Sequence, residues 1–568
     1  MAAPRPPPAR QVRLHLRQLS PHSALALPVE AVSKRAAARE RNALPTRSYN
    51  LLDEPWIPVL WTSRAQRTAD GPLPARTGLR NLLLSSERIE GLAVADPPAH
   101  SALLRILYAL TARVTGLDEA GPDDWGHRRS LVLDEERLNA QKIETYFARH
   151  CDRFFLYDAE CGRPWMQDAR LAEQCDPDNT AGVNKLIVTR PSGNNHAWFR
   201  HGSDARPDLP TTSEAVLNLL MWHYYGPSGR CSAREVAGVK SASMTAGPLR
   251  TALSYHPEGD TLFETLLAGL VRPDTIVRRE TDRCPWEWDE LPDPDAAPRP
   301  PSGPCSRLTA CSQHALLLVP DPQNEDQVRD AFITWAYRSG RIPRDDDYLV
   351  WQISQQGNRY PRPADSGRAL WRDLDALLLK DPVGTAQARR PAVFGSAFEV
   401  SEDLRVRALG FEQEGQAKDT QFIDASTPAV LGYVETEVNA RTAPAVGLMR
   451  KLGETYGRNL DRALRKAWAA YKDDSKADAG KWIAEAGARY WPAAETEFWT
   501  RFRLLDRTGH VLGAGLDRAA TRTAFLRLAE DAYVQVTRSV TRTQRGAKAV
   551  SEARIELYGG RRRRDRSA

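Results

Sequence analysis

Two absences set the first limits on this chain: long apolar runs and paired cysteines. No apolar run approaches the roughly 20 residues needed to span a bilayer, so no transmembrane segment and no membrane partner is expected. No uninterrupted apolar stretch follows the N-terminal arginines, and no signal peptide is read there. The seven cysteines in 568 residues (Cys151, Cys161, Cys175, Cys231, Cys284, Cys305 and Cys311) are scattered singly. There is no CxxC pair and the closest couple in sequence is Cys305 and Cys311, so neither a disulfide framework nor a zinc site is expected. Reduced thiols in a cytoplasmic protein are the reading. The usual catalytic signatures are missing as well: no GxxxxGK[ST], no HExxH, no GxSxG and no GxGxxG. Asp345-Asp346-Asp347 reads as a solvated acidic loop rather than a metal site. His196 and His201 flank two aromatics but lack further ligand candidates nearby. No cofactor or metal is expected, and a non-catalytic binding role gains on an enzyme.

What is present is an ordinary globular composition, 41% hydrophobic and 27% charged, in a chain long enough for two or three domains. The net charge of +6 divides unevenly. Residues 1–48 carry nine Lys/Arg against Glu30 and Glu40, and residues 538–568 carry ten against Glu552, Glu556 and Asp565. Each end is thus +7, and the body between them is about −8. A protein of this kind that holds nucleic acid must do so through local patches, because the average field of its body repels phosphate.

Residues 1–48, rich in Pro, Ala and Arg, read as a disordered basic extension or a mis-chosen start. The folded body begins at Tyr49-Asn50-Leu51-Leu52-Asp53-Glu54-Pro55-Trp56-Ile57-Pro58-Val59, which suits a strand with a bend. Leu103, Leu104, Leu107, Leu110 and Val114 make one apolar helix face, and Ser213–Tyr225 makes another helix stopped at Gly226-Pro227. Residues 272–304, with their prolines and acids, read as a surface excursion; Ala315–Val319 and Tyr348–Ile353 read as strands. After Pro428 the pattern becomes helical: a segment near Thr442–Leu452, a face of Leu460, Leu464, Ala467, Trp468 and Tyr471, a helix starting at Pro492, and a stripe from Phe525 to Val536. The expectation is an α+β protein, a large mixed α/β domain over 49–430 followed by a four-helix bundle over 431–558 and a basic tail over 559–568.

The run from Tyr49 to Val59 resembles the opening of the CasA family, the large subunit of the type I-E CRISPR Cascade surveillance complex. Further segments resemble that family in its order: Arg163-Pro164-Trp165-Met166-Gln167, Asn194–His201, Ala237-Gly238-Val239-Lys240-Ser241, Leu370–Leu374 and Gly415-Gln416-Ala417-Lys418-Asp419. The resemblance covers Tyr49 to about Gly560. It implies a non-catalytic subunit that inspects double-stranded DNA for a protospacer-adjacent motif from the minor groove, whose code is degenerate. It then helps open the duplex, so that base pairing with guide RNA reads the rest. Implied partners are the other Cascade subunits, the CRISPR guide RNA, the double-stranded target and a helicase–nuclease.

The resemblance also assigns residues. Gln416, between Gly415 and Ala417, falls where the family has a wedge, with Lys418 beside it for a phosphate. The family's glycine loop falls on Glu235–Lys240, thinned to Gly238, with Lys240 retained. Trp198, or Phe199 if the register slips by one, takes the place of an aromatic in the first DNA-facing loop. A tag-contacting lysine has no clear match; Arg338, Arg341 and Arg344 lie in its region and the choice stays open. Arg538, Arg542, Arg545 and Lys548 are basic residues that can track phosphates or simply face solvent. Two other readings stay open: a metal-dependent nuclease using ungrouped carboxylates, and an assembly scaffold without direct DNA reading.

Overall fold

The opening run folds as two short strands about a turn. The computed structural model describes residues 48–157, 163–190, 207–324, 326–342, 345–379, 389–414, 418–435, 442–505 and 517–560. Strand β1 (Tyr49–Asn50) gives way to a turn, and β2 (Ile57–Trp61) follows. Trp56 is fully buried, with its indole N–H donating to the Leu51 carbonyl oxygen at 3.0 Å, which fixes the bend. β2 lies between β3 (Arg76–Thr77) and β4 (Ile89–Leu92), and β1 pairs with β5 (Phe155–Tyr157), all antiparallel.

Helix α1 (Pro97–Thr115) starts on tandem prolines and ends at Gly116, which adopts φ +77°. The single apolar face expected here is too narrow: every residue from Pro97 to Val114 is buried, with α2 (Thr212–Tyr225) packed against it. A helix enclosed on all sides must hide polar groups too, and its two arginines are paired with carboxylates. Arg105 donates to Asp346 at 2.5 Å and to Ser254, while Arg113 meets Asp118 at 2.5 Å and Glu287 at 2.8 Å. The acidic triplet is therefore not a solvated loop. Asp346 closes an ion pair with buried Arg105, and burial pushes the Asp347 carboxyl up to about 6. Only Asp345 is exposed.

Helix α2 opens with a reciprocal cap between Thr211 and Glu214 and stops before Gly226, where a Cβ would come within 2.6 Å of the Trp222 ring. Four antiparallel groupings follow: β6 (Gly229–Val236) with β7 (Val239–Met244), β9 (His314–Pro320) with β10 (Val328–Trp335), β11 (Trp351–Ile353) with β12 (Arg359–Pro361), and a sheet in the order β8 (Ser254–Glu258), β13 (Arg405–Glu414), β14 (Lys418–Ser426). The proline-rich excursion over 272–304 is not wholly on the surface. Trp286, Asp282 and Cys284 are buried, and Asp282 accepts from the backbone N–H groups of Cys305 and Ser306.

The C-terminal region is helical, with α3 (Thr442–Lys472), α4 (Gly480–Phe502), α5 (Arg518–Thr537) and the shorter α6 (Gln544–Ala553) packed together. The expected face from Leu460 to Tyr471 and the segment near Thr442–Leu452 run as one helix. Pro492 lies inside α4 rather than at its start. The stripe from Phe525 to Val536 is the buried face of α5. The protein is thus α+β, mixed at first and helical at the end.

Candidate functional site

Two antiparallel hairpins bear on the candidate residues. In the first, Glu235 pairs with Lys240 and Val236 with Val239, leaving Ala237 and Gly238 as a two-residue turn. Their φ values are +49° and +76°, the left-handed pair that a type I′ turn demands. No atom lies within 4 Å of a Cβ built on Gly238, so the glycine serves the backbone angle and not a close contact. The thinned glycine pattern thus keeps its glycine at one of the two positions where φ is positive, while Ala237 carries strain at the other.

This tip is fastened from below. Arg338 Nη2 donates to the carbonyl oxygens of Val236 at 2.8 Å and Val239 at 3.1 Å, on both sides of the turn. Asp295 holds the same guanidinium at 3.0 Å, and the Trp335 ring lies 5.4 Å from it. The base is tied as firmly: Arg234, fully buried in β6, donates to Asp168 and Gln174 at 2.8 Å and to the Trp335 carbonyl at 3.1 Å. Burial raises the Asp168 carboxyl, but the Arg170 hydrogen bonds and the Arg234 charge outweigh it and hold it below the usual carboxylate range. The tip is thus braced both at its turn and at its base. Lys240 is exposed on it, opposite exposed Glu235, and forms no ion pair among the described residues.

Of the three arginines left open by the sequence, Arg338 is committed to bracing this hairpin. Arg341 is exposed, and Arg344 lies outside the described residues.

The second hairpin is β13 and β14, whose last pair is Glu414 with Lys418. Gly415, Gln416 and Ala417 lie between these strands in sequence and outside the described residues, and of Lys418 only its backbone place in β14 is described. The strand leading to them is anchored by Arg250, which the sequence reading did not single out. Its guanidinium stacks 4.6 Å from the Phe411 ring and donates to the Tyr225 carbonyl at 2.9 Å. With the Gln413 amide turned so that its oxygen faces this guanidinium, that oxygen accepts at 2.9 and 3.1 Å. A lone arginine 161 positions from its partner leaves no local pattern to find. Trp198 and Phe199 lie outside the described residues.

The two hairpins belong to separate sheets, with β6 and β7 packed on β10 and β13 on β8. Arg538, Arg542 and Lys548 are exposed near the end of the helical region, and Arg545 sits 3.6 Å from Asp473. Among the described residues no three of His, Cys, Asp and Glu converge to hold a metal ion, and no helix is long and apolar enough to cross a membrane.

Comparison with known proteins bears on the family of the chain. The sequence model of the family described as CRISPR-associated protein Cse1 matches residues 50–532. A CRISPR-associated protein CasA/Cse1 of Thermus thermophilus is 26% identical over 431 residues, covering 74% of this chain and 75% of that protein. A solved chain of a CRISPR RNA-guided surveillance complex is 38% identical, superposes with a TM-score of 0.79, and spans 90% of this chain and 99% of its own. Thermobifida fusca Cse1, at 21% identity and a TM-score of 0.67 over 91% of this chain and 98% of its own, shares the fold.

Proposed function

The chain belongs to the CRISPR-associated Cse1 family, also called CasA, and from that premise we propose that it is the non-catalytic large subunit of a cytoplasmic type I-E Cascade complex. In this reading it inspects double-stranded DNA for a protospacer-adjacent motif, helps open the duplex for guide RNA pairing, and receives the helicase–nuclease. The observation that carries the DNA-reading role is the fastened hairpin tip: a rigid backbone turn presenting Gly238 and an exposed Lys240. A turn this slim suits a minor groove about 6 Å wide, and a lysine beside it can take a phosphate or an acceptor on the groove floor. Bracing lowers the ordering cost of docking. Gln416, with Gly415 and Ala417, is assigned the wedge that separates the first base pair, and Lys418 a phosphate. Trp198 or Phe199 is assigned to stacking.

The test is R-loop formation by the reconstituted complex on duplexes with and without the adjacent motif. Replacing Lys240 and Gln416 together by Ala should weaken binding of the motif-bearing target at least tenfold and leave complex assembly intact. Undiminished binding would show the assignment to be wrong. Incubation of the purified chain with labelled DNA and Mg²⁺ or Mn²⁺ decides the non-catalytic reading; robust cleavage would sink it.

A further inference from the structure

The segment Arg163-Pro164-Trp165-Met166-Gln167 has no part in the hairpins, yet it walls a cavity of its own. The cavity is open to solvent at its mouth and narrow within. Trp165 and Trp286 line it as near-parallel indoles with centroids 6.1 Å apart, and half-buried Trp288 lies at the same wall. Met166, between Trp165 and Gln167, takes φ +55°, and His223 Nε2 holds its carbonyl oxygen at 2.8 Å. Gln167 is spent on the backbone, bridging the Leu156 carbonyl and the Leu318 N–H.

Among the described residues, two polar atoms on this wall have no partner. Trp165 is 1% exposed and its indole N–H donates to nothing. Arg163 uses Nη1 on the Asp289 carbonyl oxygen at 2.6 Å, but its buried Nη2 is also unsatisfied. Both are donors, and a buried donor without an acceptor costs free energy until a ligand supplies one. Three arginines line the cavity: Arg170 is paired with Asp168 and Arg153 with Asp152 at 3.2 Å, while Arg163 forms no ion pair among the described residues. The site is therefore aromatic and donor-rich, with Arg163 as its unpaired cation.

We propose that this cavity is a single-nucleotide site, with a nucleobase against half-buried Trp288, its ring acceptors on Trp165 Nε1 and Arg163, and its phosphate on the arginine rim. Aromatic faces and arginines are the pairing by which proteins hold unstacked nucleotides. A free mononucleotide and the end nucleotide of a single strand present the same chemistry. The site shares Asp168 with the base of the first hairpin but none of the residues of that hairpin's tip, and its probes are read without duplex DNA.

Calorimetric titration of the full chain with each of the four ribonucleoside monophosphates, and separately with an eight-nucleotide single-stranded RNA, separates the two sources. Saturable one-to-one binding of either probe is expected. Arg163→Gln, on the rim, should weaken it about tenfold, and Trp165→Phe, which keeps an aromatic ring and removes the donor, several-fold. Lys240→Ala should leave mononucleotide binding unchanged. Binding of monophosphates assigns a free nucleotide; binding of the oligonucleotide alone assigns a strand end. Failure of both probes to saturate, or affinity unchanged in both Arg163→Gln and Trp165→Phe, overturns the proposal.

Discussion

Replacing Arg338 by Met removes the brace under the hairpin tip while keeping a side chain over Trp335. The wild-type guanidinium makes two hydrogen bonds, to the Val236 and Val239 carbonyl oxygens, and one ion pair with Asp295. Hydrogen bonds from a charged donor are worth about 1.5–3 kcal/mol each when buried. Here the Arg338 side chain is 25% exposed, so about 1 kcal/mol apiece is the better figure. The ion pair, with Asp295 32% exposed, adds little. The total of about 2 kcal/mol corresponds to roughly thirtyfold at ~1.4 kcal/mol per tenfold. Amide hydrogen exchange read by mass spectrometry should show peptides spanning 229–244 opening about thirtyfold faster, with β9 and β10 unchanged. Tip exchange equal to wild type would refute the bracing role. In the reconstituted complex, the same loss of order must be made good on binding, so target affinity should fall by up to the same factor. Faster exchange with undiminished affinity would mean that the tip is braced for something other than DNA.

Two further predictions follow from backbone strain and from burial. Ala237 sits at φ +49°, where Asn is far better tolerated, and Asn-Gly is the preferred type I′ pair; Ala237→Asn should slow exchange at the tip several-fold, and an increase would contradict the turn geometry. The Asp347 carboxyl, raised to about 6 first by burial and then by Asp346 and Asp345 against the counter-pull of Arg307 and Arg105, is destabilising in its charged form. Its folded pKa lies above the ordinary 3.8, so the penalty is absent below about pH 4, grows between 4 and 6, and is full above 6. Asp347→Asn should therefore stabilise at pH 7.5 by ~1–2 kcal/mol, discounted from ~1.4 per unit because the side chain is 20% exposed. Urea unfolding at pH 7.5 and 4.5 should show the gain shrink in acid; an equal gain at both would rule out titration of Asp347.

Elements built from local pattern were legible. The Phe525 to Val536 stripe and the α2 stop at Gly226 both depend on residues within a turn of one another. What escaped was decided at a distance. Pro492 reads as a helix start, yet Tyr490, Ala494, Phe498 and Phe502 continue one buried face across it, and Trp491 packs on Trp371 and under Arg372. Tertiary packing there outweighs the lost hydrogen bond. Asp346 reads as solvated because its partner Arg105 lies 241 positions away. The candidate site divides the same way. Gly238 and Lys240 are visible through the family pattern, whereas the bracing comes from far off in sequence: Arg338 reaches the turn from just past β10, and Arg234 in β6 is held by Asp168.

The charge arithmetic also changes meaning in three dimensions. Body carboxylates such as Asp118, Asp168, Glu287, Asp346, Asp373 and Glu454 are turned inward onto Arg113, Arg170, Arg234, Arg105, Arg362, Arg368 and Arg372. Such pairs cancel, so the negative excess of the body must reside in its remaining, mostly exposed groups. A polyanion approaching that surface is repelled on average, and the repulsion is screened beyond roughly 10 Å at 0.1 M salt. A lysine raised on a narrow, braced hairpin can be met by phosphate while the acidic surface behind it stays farther off. On the proposed DNA-reading role, rigidity and exposure of this tip would take the place that net charge has in an ordinary DNA-binding protein, for a duplex held nearby by other subunits of the complex.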